Sequence, residues 1–124
     1  MPKKMHIIAG KVKAEAELND SPTAQAIWEA LPITARANRW GEEIYFRIPV
    51  HEELAEDARA EVEVGELGYW PPGNAFCIFF GPTPASSGDE PRAASPVNPI
   101  GRVLGKATVF KDVRDGEPIT LTPA

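Results

Sequence analysis

Three features of the sequence predict a mainly β protein, a closed or nearly closed antiparallel β-barrel with two short helices. Short runs in which apolar and polar residues alternate recur along the chain, about seven in all. Only two segments carry helical spacing, and no strand–helix–strand rhythm sets up a parallel sheet. Thirteen prolines in 124 residues, about twice ordinary usage, cluster between those runs and mark fixed connections. A chain of this length with 43% hydrophobic residues can bury one core, so residues 1–124 are read as a single domain.

The elements follow in order. In "HIIAGKVKAEAELND", Val12, Ala14, Ala16 and Leu18 alternate with charged residues, as in two strands or one long bent strand with one buried face. "DSPTAQAIWEAL" reads as a helix, with Asp20 or Ser21 as N-cap, Pro22 near the first helical position and Pro32 as its stop. "ITARANRWGEEIYFRIPV" predicts a hairpin turning at Gly41, with Ile44, Phe46, Ile48 and Val50 on one face of its second strand. "HEELAEDA" suggests one helical turn, and "AEVEVG" a half-exposed strand. In "NAFCIFF" neither face is polar, because Phe76, Ile78 and Phe80 alternate with Ala75, Cys77 and Phe79, so this is expected to be a central strand. Residues 81–99 read as one long loop, "IGRVLG" as a short strand, "KATVFKDVRDGE" as the second helix, and "PITLT" as the strand that closes the sheet.

Composition removes several classes of function. Thirteen basic against eighteen acidic residues give a net charge of −5, with no basic patch, so a nucleic-acid partner is not expected. The lone Cys77 has no disulfide partner within the chain, and no His or Cys spacing suggests a metal, so neither a metal nor another cofactor is expected. The basic start is followed by an apolar run too short for a secretion signal, and no run approaches the roughly 20 residues of a membrane helix. A cytoplasmic protein that does not engage a membrane is the expectation. There is no GxSxG elbow, Walker loop or dinucleotide fingerprint, which leaves hydrolase, kinase and dehydrogenase readings without their parts. Oligomeric state is not legible.

At "NRWGEEIYF", "GELGYWPPGNAFCIFFGPTP" and "NPIGRVLG" the chain resembles the small bacterial and archaeal cyclophilin-like proteins of unassigned function. The resemblance runs from about Ile7 to Leu121 and implies a cyclophilin-like barrel with a helix at each end. In true cyclophilins an arginine beside an apolar pocket polarises a prolyl amide, lowering a rotation barrier of ~20 kcal/mol without any nucleophile. The comparable segment here, "TARANRWG", offers Arg36 and Arg39 as candidates for that arginine. The strand "NAFCIFF" resembles the one that delivers a pocket phenylalanine, which implies Phe76 or Phe79. The His-Arg pair and the Gln-Gly-Gly block of the enzymes are absent from this sequence.

The candidate site is therefore an apolar, arginine-edged cleft that takes a small molecule or an extended peptide, possibly one containing proline. Arg39 would hold a carbonyl or carboxylate, Tyr45 and Trp70 would form walls, and Asn74 would supply a directional amide, beside Phe76 or Phe79. Two readings of "ITARANRW" stand side by side, an arginine at a ligand cleft or an arginine packed on an outer wall. Trp70 in "GYWPPG" either stacks on a ligand or caps the core. The alternatives in function are a weak peptidyl-prolyl isomerase, working through Arg36 or Arg39, and a scaffold or partner-dependent subunit.

Overall fold

The computed structural model describes residues 3–124; residues 1 and 2, part of the basic start, lie outside the described residues. Strands β1 (Lys3–Ala9) and β2 (Val12–Leu18) form the first hairpin, turning at Gly10 with a positive φ of 59°. Their inward faces carry Met5, Ile7 and Ala9 opposite Ala16, Ala14 and Val12. Helix α1 (Pro22–Ala30) starts where Ser21 accepts a hydrogen bond from the Ala24 amide and buries Ala24 and Ile27 on the core. Strands β3 (Ile33–Arg36), β4 (Asn38–Trp40) and β5 (Glu43–Arg47) follow, then β6 (Arg59–Glu61), β7 (Glu66–Trp70), β8 (Ala75–Phe79), β9 (Arg92–Leu104) and β10 (Pro118–Pro123).

These strands form one antiparallel sheet in the order β3-β10-β1-β2-β9-β7-β8-β5-β4, with β6 attached to β9. The two end strands, β3 and β4, are separated in sequence only by Ala37. Consecutive residues lie 3.80 Å apart, so the sheet has to curl until its edges nearly meet. It is not closed by strand pairing: Ala37 is held instead by the segment before β10, donating to the Glu117 carbonyl at 2.8 Å and accepting from the Gly116 amide at 2.7 Å. Of the closed or nearly closed barrel expected, the structure thus has the antiparallel sheet wrapped around its core, with its edges brought together but not joined by strand pairing.

Four local expectations change. The run 81–99 is not all loop, because β9 begins at Arg92 and continues through Pro96 and Pro99; residues 92–97 pair only with the short β6, Asn98 and Pro99 already pair with β7, and both pairings shift register. Residues 51–58 form no helix, and only the start of "AEVEVG" is strand, leaving Val64 exposed. The second helix is a 3-10 turn over Ala107–Asp112 that buries Ala107 and Phe110. Strand β10 sits between β3 and β1 rather than at the closing edge.

The sheet separates two apolar layers. The inner one gathers Ile7, Leu18, Ile27, Phe46, Phe76 and Phe80 with their neighbours. The outer one is smaller and holds Val62, Ala75, Cys77, Phe79, Ala93 and Val97, with Tyr45 and Trp70 packed against it. Strand β8 feeds both, Phe76 and Ile78 inward and Ala75, Cys77 and Phe79 outward, so the two apolar faces read in "NAFCIFF" each have a layer to enter. The first half of β9 crosses over this outer face, and Gly68 makes room for it: a Cβ there would stand 2.7 Å from Val97 Cγ2. No helix among the described residues is long and apolar enough to cross a membrane.

Candidate functional site

Where β9 leaves the outer layer incompletely covered, a cavity of about 270 Å³ opens. Strand register fixes its composition. Trp40 of β4 pairs with Glu43 of β5, Glu43 with Phe79, and Tyr45 with Cys77, so Trp40, Glu43, Tyr45 and Cys77 project from the same face. Trp70, at the end of β7 opposite Ala75, supplies a further wall. The remaining side is the apolar edge of β9, at Ala93, Ala94 and Val97.

The stretch "WPPGN" sets the Trp70 wall. Pro71 and Pro72 enter a 3-10 turn, and Asn74 ends it in the left-handed region at φ 49°. The indole lies over Gly73, where a Cβ would come within 2.9 Å of the ring, and its Nε1 donates to Ser95 Oγ at 2.7 Å. Trp70 is thereby tied both to its own turn and to β9. The other end of β8 is fixed as firmly, because the Phe80 amide donates to the Glu42 carbonyl and the Glu42 amide to the Pro82 carbonyl.

Glu43 is the unusual group. It is only 5% exposed, and its Oε1 is buried without a hydrogen-bond partner. Burial pushes its carboxyl up to about 7, an effect slightly offset by the neighbouring Cys77 thiol. Burial likewise pushes the Cys77 thiol well up, and the adjacent Glu43 adds to it, so this cysteine stays protonated and is no nucleophile. Among the described residues no group of three or more His, Cys, Asp or Glu side chains is placed to hold a metal.

The residues expected at a site are divided by the sheet. Tyr45 and Trp70 line the cavity. Phe79 packs in the layer behind it, while Phe76 lies in the inner core, its ring 5.4 Å from that of Phe46. Arg39 points to the opposite face from Trp40. Its guanidinium sits 4.9 Å over the Phe80 ring and donates to the carbonyls of Gly41, Lys111 and Val113 and to Glu42. Arg36 is exposed and donates to the Gly116 carbonyl at 3.0 Å. Asn74 lies outside the cavity, where its Oδ1 accepts from the Tyr69 hydroxyl and meets His51 Nδ1 at 3.0 Å. The cavity's charged edge is thus a carboxyl group and not an arginine.

The sequence reading missed Glu43, although a signal was present. If both faces of β8 are apolar, the outward residues of its neighbour β5 are covered too. Glu43 and Tyr45 are those residues, since Ile44 and Phe46 face inward.

The architecture is a single antiparallel sheet wrapped round one core, with an aromatic pocket on its outer face. The cyclophilin-like family model matches residues 3–122, and the chain belongs to that family. The solution structure of the hypothetical protein AF2241 from Archaeoglobus fulgidus is similar, with a TM-score of 0.83 and 42% identity over 99% of this chain and 95% of that one. A search of curated proteins gives no match.

Proposed function

We propose that the protein is a binding module for a small molecule held in the outer-face cavity. The observation that carries this reading is the carboxyl of Glu43, buried with an unpartnered oxygen at the wall of an aromatic cavity. A polar group left so costs about 1–3 kcal/mol, a penalty that a ligand able to pair with it relieves. Ligand sites characteristically join apolar walls to a few polar groups. At about 270 Å³ the cavity suits a compact ligand or a single side chain better than an extended peptide. A larger groove of about 660 Å³ beside β2 and β9 includes Arg59 and Glu66, which already pair with each other.

The isomerase alternative draws little support from the arginines. Polarising a prolyl amide needs a free donor beside the apolar pocket. Arg39 commits four N–H donors to three carbonyls and Glu42, beside Phe80 and away from the cavity, and Arg36 projects from an exposed position. Calorimetric titration with 2-phenylethanol, a compact neutral probe, tests the binding module: the protein is expected to bind it, and Tyr45→Ala to weaken binding about tenfold, the loss of one aromatic wall. Prolyl-isomerisation assays on Xaa-Pro peptides are expected to give the uncatalysed rate. A catalysed rate abolished in Arg36→Ala or Arg39→Ala would replace this reading with the isomerase.

A further inference from the structure

We infer that the cavity takes a small organic cation, an ammonium group on an apolar or aromatic body, with Glu43 as its counter-ion and Trp40, Tyr45 and Trp70 as its walls. The inference rests on the binding-module reading and adds the chemical class of the ligand. Two independent features select positive charge. The first is the lining itself, in which Glu43 is the one group that carries charge. The nearby basic side chains serve a different carboxylate: Arg39 pairs with Glu42 at 2.7 Å and Lys111 with Glu42 at 3.6 Å. Among the described residues Glu43 therefore pairs with no cation, and its Oε1 has no hydrogen-bond partner.

The second feature is the three aromatic walls. The face of an indole or phenol ring is the negative part of its quadrupole, which attracts an ammonium group and repels a carboxylate or phosphate. A pocket for an anion would be built the other way, with donors and a guanidinium. Size adds a bound: a cavity of about 270 Å³ exceeds the 150 Å³ that holds benzene, and so admits a ligand of roughly ten non-hydrogen atoms.

Binding of a cation is expected to ionise Glu43, because the ligand supplies the partner that burial denies it. The titratable groups facing this carboxyl are the Cys77 thiol, which stays protonated, and the Tyr45 phenol; β4, β7 and β9 present only Trp40, Trp70 and apolar residues. Cation affinity should then fall as the pH drops through about 7. It becomes roughly thirtyfold weaker at pH 5.5 than at pH 8.

The test compares three probes of one shape by calorimetry: phenethylammonium, 2-phenylethanol and phenylacetate. At pH 8 phenethylammonium is expected to bind at least tenfold more tightly than the alcohol, and phenylacetate more weakly than either. Only the ammonium should lose affinity at pH 5.5. In Glu43→Gln, checked as folded by its amide NMR spectrum, the preference for ammonium over alcohol should vanish. Equal affinity for ammonium and alcohol, or a preference that survives in Glu43→Gln, overturns the cation assignment while leaving the binding module intact. Absence of binding by all three probes overturns both.

Discussion

At position 43 a carboxyl group is almost wholly withdrawn from water, and the consequence is a stability that depends on pH. The buried acid holds its proton up to about 7, whereas in the unfolded chain it releases it near its ordinary value of ~4.3. Between those values the native state binds more protons than the unfolded one, so stability falls as the pH rises through this window and levels off above about 7. The full difference is on the order of 3–4 kcal/mol. Glu43→Gln should abolish this loss, giving a protein more stable than the parent at pH 8 and little changed at pH 4.5. Urea denaturation of both proteins across that range checks it, and parallel pH profiles would contradict it. Single residues were unequally legible from the sequence. Tyr45 and Trp70, expected as aromatic walls, do both line the outer cavity. The surroundings of Arg39 were not legible, since alternation assigns it a face but not the carbonyls of Lys111 and Val113 that its guanidinium meets from a segment more than 70 residues away.

Among the elements, β9 decides whether there is a pocket. Its second half is an ordinary member of the sheet, between β2 and β7. Its first half lies over the outer face, and the contact of Val97 with Gly68 fixes how closely. Gly68→Ala places a methyl where the valine already stands, which costs about 1–3 kcal/mol. Trimming the partner should recover part of that loss. Thermal denaturation of Gly68→Ala, Val97→Ala and the double variant is expected to show the double variant less destabilised than the sum of the singles; strict additivity would mean that the contact does not set the position of β9. The sequence disclosed β8 through its two apolar faces and α1 through Ser21 and Pro22. It hid the start of β9, because the proline-rich run that includes Pro96 reads as loop. Prolines are tolerated where the ladder is sparse, and only the tertiary arrangement shows that the outer half of β9 has so short a partner as β6.

The whole molecule is a curled sheet with an occupied inside and a partly covered outside. Chain connectivity at Ala37 brings the two sheet edges together, and the inner layer holds buried side chains such as Phe46, Phe76 and Phe110. The outer face, with its cavity, is left for the proposed binding site. Mainly β architecture was legible from alternation and proline placement. The incomplete closure was not, because it depends on whether β3 and β4 pair across Ala37, and nothing in either short strand encodes that. The three tryptophans report on the arrangement from different places: Trp40 and Trp70 line the outer cavity, while Trp28 packs against the inner core from α1. The most direct measurement is therefore the shift of the three indole N–H resonances in a nitrogen-15 correlation spectrum as 2-phenylethanol is added. Movement of the Trp40 and Trp70 signals with Trp28 unmoved is the predicted result; a shift of Trp28 alone would place binding elsewhere and contradict the account.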